Sequence, residues 1–109
     1  MFLARFPFIT LPPFDQILDE GEPLFIECQA LGLPPLSIVL RKDGASIFPF
    51  APVLMVSSAT DEDAGNYTCL ASNSLGMVIS DVALIRVRCK CITYQGFIQR
   101  EEVGGYCYI

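Results

Sequence analysis

The sequence contains no histidine and no tryptophan. Without histidine, neither a Ser-His-Asp nor a Cys-His nucleophilic arrangement can be built. A glycine-rich phosphate loop is also missing, because Gly104-Gly105 is not followed by a lysine and a serine or threonine. The acidic pairs Glu101-Glu102 and Asp61 with Asp63 are more simply explained as a solvated tail and a turn. The sequence therefore predicts a protein that is not an enzyme and that uses no cofactor and no small-molecule substrate.

Basic residues are scarce as well. Seven lysines and arginines stand against twelve acidic residues, which gives a formal net charge of −5. This balance excludes a broad basic surface for nucleic acid or anionic lipid. No apolar run approaches the roughly 20 residues that span a bilayer, and the apolar start is interrupted by Arg5 and Pro7. We therefore predict no membrane span and no signal peptide in a chain whose 109 residues suffice for one domain.

The most informative stretch that is present runs from Asp61 to Cys69 and reads D-x-D-x-G-x-Y-x-C. From Tyr67 onward the residues alternate, which is typical of a strand with one buried face. The preceding Asp63-Ala64-Gly65 has turn chemistry, because glycine tolerates positive φ and aspartate bonds nearby backbone. A tyrosine two residues before a cysteine matches the tyrosine corner of a two-sheet sandwich.

With Ala71, Asn73 and Gly76 following it, this string resembles strand F of an immunoglobulin domain of the I-set type. The resemblance implies an all-β fold, an immunoglobulin-like antiparallel β-sandwich. It also implies a corner formed by Asp63, Gly65 and Tyr67, in which the phenol bonds back to the backbone. The function that it implies is non-catalytic protein–protein recognition, or a spacer role, in a multidomain protein.

The other strands follow from alternation and from the same resemblance. The domain is expected at residues 9–88, after an extended segment at residues 1–8 and before a cysteine-containing tail at residues 89–109. That tail could add a hairpin, act as a linker, or be sequence that selection never shaped. The predicted strands are A from residue 9, A′ at Ile17 and Leu18, B from Leu24 to Ala30, C from Ser37 to Lys42, E from Leu54, F to Asn73, and G from about Val78 to Val87.

The sequence departs from the family pattern in two places. Leu40 stands where the family places a core tryptophan, and we expect Phe48 or Phe50 to fill the space that the smaller side chain leaves. Only residues 45–53 separate strand C from strand E, so strand D, strand C′ or both should be missing. The edge beside strand E should then be open. The basic residue of strand D that usually pairs with the corner aspartate is also missing.

The sequence contains five cysteines, an odd number. The resemblance implies an inter-sheet disulfide between Cys28 and Cys69, the alternative being two buried thiols, as in cytosolic proteins of this fold. Cys89, Cys91 and Cys107 lack the ligand number and spacing of a structural zinc site, so no metal is predicted. A disulfide within the tail or to another chain, or a segment with free thiols, stays open for these three residues.

Two surface features bear on function. Asn66-Tyr67-Thr68 is an N-glycosylation acceptor whose asparagine points outward by alternation. Val39, Leu70 and Leu84 are also expected on an outer face, as a contact patch for another protein. We therefore expect an extracellular or cell-surface protein of adhesion or receptor type. The alternatives are an intracellular, cytoskeletal scaffold domain and a truncated product without a role of its own.

Overall fold

The computed structural model describes residues 5–88, 91–93 and 96–98. The described part of the chain is built of strands, with one short 3-10 helix at Asp61–Asp63. The strands are β1 (Phe8–Leu11), β2 (Gln16–Asp19), β3 (Leu24–Glu27), β4 (Gln29–Leu31), β5 (Ser37–Lys42), β6 (Ala45–Ser46), β7 (Val53–Val56), β8 (Gly65–Asn73), β9 (Gly76–Ile79), β10 (Ala83–Arg88), β11 (Cys91–Thr93) and β12 (Gly96–Ile98).

One layer, which we call the A–B–E sheet, consists of β1, β3, β4 and β7. β3 and β4 are two segments of strand B separated at Cys28. β1 pairs with β4 and β3 pairs with β7, both antiparallel. The outward positions of this layer carry the exposed pairs Phe8–Leu31 and Phe25–Met55, which lie directly opposite each other across the strands.

The other layer, which we call the C–F–G sheet, has the strand order β2-β10-β8-β5-β6, and β9 also pairs with β8. Strand β2 runs parallel to β10, and Arg88 forms a salt bridge of 2.9 Å with Asp19 across that pair. β5 turns into β6 through Asp43 and Gly44, whose φ angles of 52° and 88° are those of a two-residue hairpin turn. The long strand β8 lies at the centre of this layer.

The core lies between the two layers and is formed by side chains at alternate positions. Tyr67, Cys69 and Ala71 of β8 and the inward positions of β10 face strand B across the sandwich, and each is less than 5% exposed. The inward positions of β10 are Ala83, Ile85 and Val87, and the remaining buried residues come from strand B, strand C and the loop before the corner: Leu24, Ile26, Cys28, Leu40 and Ala59. This is the alternation that the sequence predicted for strands B, F and G.

The structure agrees with the predicted sandwich and with the expected loss of strand D, strand C′ or both, and it corrects one detail, the continuity of strand G. A two-residue C′ strand, β6, is present, and within residues 43–64 no strand D follows it. The prediction of one continuous strand G was wrong, because the chain leaves the sheet at Ser80–Val82 between β9 and β10. At this break Ser80 bonds Cys69 twice: its backbone N–H donates to the Cys69 carbonyl, and its Oγ accepts from the Cys69 N–H, both at 2.9 Å.

The segment between strands C and E crosses from one layer to the other within a few residues. Leu40 accepts a backbone hydrogen bond from Ile47 at 3.0 Å and donates one to Ala51 at 3.3 Å, so the crossing segment first runs along β5. The next carbonyl, that of Pro52, accepts from the Cys28 N–H at 2.9 Å, so the chain has by then joined strand B. The crossing therefore delivers β7 beside β3 and leaves the other side of β7 open.

Candidate functional site

The corner before strand F is held by hydrogen bonds to backbone groups, the first of which cap the short 3-10 helix. Thr60 caps the 3-10 helix, since its Oγ1 accepts from the Glu62 N–H at 3.3 Å while its own N–H donates to the Asp63 carboxylate at 2.8 Å. The Tyr67 hydroxyl donates to the Asp63 carbonyl at 2.6 Å, which is the bond that defines a tyrosine corner. Asp63, Gly65 and Tyr67 are therefore brought together where strand F enters the sheet.

The Tyr67 phenol is in an environment that opposes ionisation. The side chain is 1% exposed, and burial raises its pKa to about 12 from the ordinary value of 10, with smaller contributions from the negative charges of Asp63 and Asp43. The neutral phenol is therefore the form that the folded domain holds. Since a neutral phenol is a hydrogen-bond donor, the corner bond persists across the physiological range.

Strand C braces this corner from the side. Lys42 donates from Nζ to the Glu62 carbonyl, and Asp43 accepts at Oδ1 from the Asn66 N–H at 3.0 Å. Gly65 allows this approach, because a Cβ there would lie 2.9 Å from the Lys42 Cε and 3.0 Å from the Asp43 carboxylate. Strand C thus supplies a basic residue to the corner, although Lys42 bonds the Glu62 backbone carbonyl and not the corner aspartate that the basic residue of strand D usually pairs with.

Cys28 and Cys69 form a disulfide between the two layers, with 6.3 Å between their Cα atoms. Both residues are at most 2% exposed, on the inward faces of strands B and F. Leu40, which replaces the family's tryptophan, is buried beside them at 2% exposure. The expectation that Phe48 or Phe50 compensates for the missing indole was wrong: these side chains are 81% and 63% exposed and pack against each other, with ring centroids 5.5 Å apart.

A cavity of about 220 Å³ remains next to Leu40 instead. Its wall is formed by strand C, the crossing segment and strand E, and it opens at the side of the sandwich where strand D is missing. A leucine in place of an indole, without a neighbouring strand to cover it, leaves this volume unfilled. The lining residues are Leu40, Ile47, Phe48, Pro49, Ala51, Val53, Leu54 and Met55.

The outer face of the C–F–G sheet carries a row of apolar side chains. Val39 lies directly opposite Leu70, and Leu70 lies directly opposite Ile79 on its other side. Ile79 is 50% exposed, while Val39 and Leu70 are half-buried. Sequence reasoning missed Ile79 because it treated strand G as continuous. Counting back from the hairpin pair Asn73 and Gly76 would have placed Ile79 beside Leu70.

The third predicted member of the patch lies elsewhere on this face. Leu84 is 42% exposed and lies opposite Asn66, four positions from Leu70 along β8. At a rise of about 3.3 Å per residue this offset is about 13 Å. The structure thus brings Val39 and Leu70 together and leaves Leu84 apart, next to the exposed asparagine of the glycosylation motif.

Two further predictions concern metal and the tail cysteines. Cys89 and Cys107 lie outside the described residues, and of Cys91 only the strand position is described. In the described part of the chain, no three histidine, cysteine or acidic side chains are grouped as metal ligands would be. Among those same residues, no helix has both the length and the apolar character to cross a membrane.

Comparison with known proteins identifies the family. The family model described as "Immunoglobulin domain" matches residues 7–73. The chain belongs to the immunoglobulin domain family. Over 88 residues this domain is 33% identical to Brother of CDO of Homo sapiens, an alignment that covers 73% of the chain and 8% of that protein. The domain thus spans a small fraction of the length of this relative.

Solved structures agree with this assignment. The domain superposes on the tandem Ig repeats of Dlar with a TM-score of 0.73 and 26% identity, covering 80% of this chain and 50% of that one. It superposes on the I-band fragment I67-I69 of titin with a TM-score of 0.70 and 31% identity, covering 81% and 34%. Domains of this family are generally non-catalytic, and the I-set subtype stays a prediction.

Proposed function

We propose that this immunoglobulin domain is a non-catalytic recognition or spacer module of a multidomain protein of cell-adhesion or receptor type. The curated relatives, which are adhesion and receptor proteins with immunoglobulin domains, support this proposal. The sequence also contains no histidine, and Tyr67, whose pKa burial raises to about 12, is engaged in a structural hydrogen bond.

The observation that carries the recognition role is the apolar row of Val39, Leu70 and Ile79. Three neighbouring paired strands present these side chains side by side, so the row is formed before any partner arrives. A preformed apolar row lowers the entropic cost of association. The partner that this surface suits is another protein, such as a further immunoglobulin-type domain.

The predicted patch member Leu84 has a different role in this proposal. It is the cross-strand neighbour of Asn66, so a glycan on that asparagine would cover Leu84 and leave the row around Leu70 accessible. A glycan requires passage through the secretory pathway, as does stable formation of the Cys28–Cys69 disulfide. The glycosylation motif at Asn66 and the Cys28–Cys69 disulfide both support an extracellular or cell-surface location.

The experiment is a binding screen with a multimerised form of the domain against a panel of receptor ectodomains displayed on cells. We expect a specific ectodomain to bind, and we expect Leu70→Arg and Ile79→Arg to weaken that binding by about tenfold or more, as for residues at the centre of an interface. Leu31→Arg, at an exposed position of β4 in the A–B–E sheet, is the matched control and should bind as the parent does. Equal binding by all variants would refute the role of the row.

The proposed extracellular or cell-surface location is tested separately. The domain is expressed behind a secretion signal, and its mass is compared before and after glycosidase treatment, with Asn66→Gln as control. A mass shift that Asn66→Gln abolishes is the expected result. An unmodified Asn66 would remove the glycan from the proposal while leaving the row of Leu70 to be judged by its own screen.

The similarity to the titin fragment favours one second candidate, an intracellular scaffold domain. In that role Cys28 and Cys69 would be reduced. Alkylation of the native full-length protein in intact cells, followed by peptide mapping, separates the two: blocked cysteines favour the adhesion or receptor role, whereas alkylated ones favour the scaffold.

A further inference from the structure

The free edge of strand E has unpaired backbone groups. In the described part of the chain β7 pairs only with β3. Because the Cys28 N–H bonds the Pro52 carbonyl, alternation along an antiparallel pair directs the polar backbone groups of Leu54 and Val56 toward β3. The N–H and C=O groups of Val53 and Met55 therefore point away from the sheet, where a fourth strand would bond them.

This edge lacks the features that normally protect an exposed strand. Natural edges carry lysine, an interrupting proline, a bulge or inward charge, which discourage pairing with other chains. β7 reads Val-Leu-Met-Val, without charge or proline, and its pairing with β3 is regular along its length. Met55 is 74% exposed and Val53 is 37% exposed, so the edge is accessible.

The cavity lies directly beneath this edge. Its wall includes Val53, Leu54 and Met55 of β7, and Leu40 forms its inner wall. A strand laid along β7 would point every second side chain toward the interior. With a volume of about 220 Å³, the cavity has room for an aliphatic or aromatic side chain from such a strand.

Charge indicates which partner fits. The strands of the A–B–E sheet contain no lysine or arginine and one carboxylate, that of Glu27, which lies opposite Val53. Beyond Val56 the chain continues into the acidic Asp61–Asp63. With a net charge of −5, a second copy of this chain would be repelled, whereas a basic segment would be attracted.

We propose that the free edge of β7 and the adjoining cavity bind an extended, basic segment of a different protein by β-augmentation. The main chain of that segment bonds Val53 and Met55, and its inward apolar side chains fill the cavity beside Leu40. Lysine or arginine at the ends of the segment is attracted by Glu27, which lies opposite Val53, and by the net negative charge of the chain. This surface is on the opposite layer from the row around Leu70, so the two bind independently.

The probe is the capped peptide Lys-Val-Thr-Leu-Thr-Val-Lys, titrated into the full chain and followed by backbone amide NMR and calorimetry. We expect saturable shifts centred on Val53 and Met55. Two further peptides carry N-methyl groups on alternate backbone amides. The peptide methylated on the amides that would bond β7 should bind about tenfold or more weakly than the parent peptide. The peptide methylated on the other amides should bind as the parent peptide does. Equal effects of the two methylation patterns would overturn strand addition. Stronger binding by a version with glutamate in place of lysine would overturn the charge argument.

Variants of the domain test the same edge. Met55→Lys introduces an edge cation, and Met55→Pro removes a donor that faces no strand of the domain itself; each should weaken peptide binding by about tenfold or more. Met77→Lys, at a similarly exposed methionine of the C–F–G sheet, is the matched control and should bind normally. Normal binding by a folded Met55→Lys variant would refute the proposal. Self-association of the parent chain that Met55→Lys abolishes would show that the occupant is a second copy instead.

Discussion

The two layers of this sandwich differ in how completely their strands are paired. The C–F–G sheet has a continuous path of five strands, a tyrosine corner braced by Lys42, and basic side chains on strands C and G. The A–B–E sheet has short paired segments, no basic residue, an open edge and a cavity at its side. Strand F and the tyrosine corner thus lie in the complete layer, and strand D is missing, within residues 43–64, beside the incomplete one. The tryptophan that Leu40 replaces would stand on strand C of the complete layer, and the cavity beside Leu40 borders β7 of the incomplete layer.

This asymmetry explains how the domain tolerates the loss of strand D and of the core tryptophan. Cys28 ties the incomplete layer to strand F, and Leu24 and Ile26 bury their side chains against the complete layer. The complete layer carries the apolar row that we propose for recognition, whereas the incomplete one has an edge that no strand of the described part of the chain covers. One domain thereby offers two chemically different surfaces.

The largest expected effect on stability is that of removing the disulfide between the layers. Replacing Cys28 and Cys69 with alanine should lower the free energy of unfolding by about 4 kcal/mol, the chain-entropy value for a disulfide across a separation of 41 residues. Denaturant unfolding measures the loss. Reductant should lower the stability of the parent chain and leave the double variant unchanged; a parent that melts alike with and without reductant would contradict this.

Hydrogen exchange should show the asymmetry residue by residue. The amides of Val53 and Met55 face no strand within the described residues, so they should exchange at least about a hundredfold faster than those of Leu54 and Val56, which bond β3. Strand β8 is paired on both sides along part of its length, so the amides of Leu70 and Ala71 should both be protected. Uniform protection along β7 would mean that its outer edge is covered.

How far the sequence predicted this molecule depends on the same division. Strand F, the corner and the inward alternation of strands B and G follow from local patterns, so Tyr67 and Cys69 could be placed from spacing alone. The packing around Leu40 could not, because whether Phe48 turns inward depends on how a short crossing segment folds. Ile79 was missed because the break at Ser80 depends on a side-chain hydrogen bond to Cys69 that no periodicity reveals.

Removing the corner hydroxyl tests the complete layer. Tyr67→Phe should lower the free energy of unfolding by about 1–2 kcal/mol, because the partly buried Asp63 carbonyl loses the bond that it accepts at 2.6 Å. Thermal and denaturant unfolding measure this change. Exchange at Met55, on the other layer, should keep its parent rate, since that edge is open in both proteins. A variant as stable as the parent would show that the phenol bond adds nothing.

Alkaline pH acts on the same residue. Below pH 10, Tyr67 keeps its proton in the folded and the unfolded chain, so its contribution to stability is constant. Above pH 10 the unfolded chain loses that proton first, because burial holds the folded pKa near 12, and stability falls as pH rises from 10 toward 12. Tyr67→Phe should lack this component, so the difference between parent and variant should shrink with rising pH. A constant difference would contradict the raised pKa.

The smallest effect concerns the brace between strand C and the corner. Lys42→Met removes the donor to the Glu62 carbonyl and leaves the aliphatic part of the side chain, so it should cost only about 0.5 kcal/mol, since both groups are near solvent. Lys42→Arg keeps a donor and should restore most of the loss in denaturant unfolding. This variant tests whether the two layers respond separately, because the Lys42 hydrogen bond links strand C to the corner and involves no strand of the A–B–E sheet. Lys42→Met should therefore speed exchange at Tyr67 and leave Leu54 unchanged, and equal acceleration at both would show that the layers unfold as one unit.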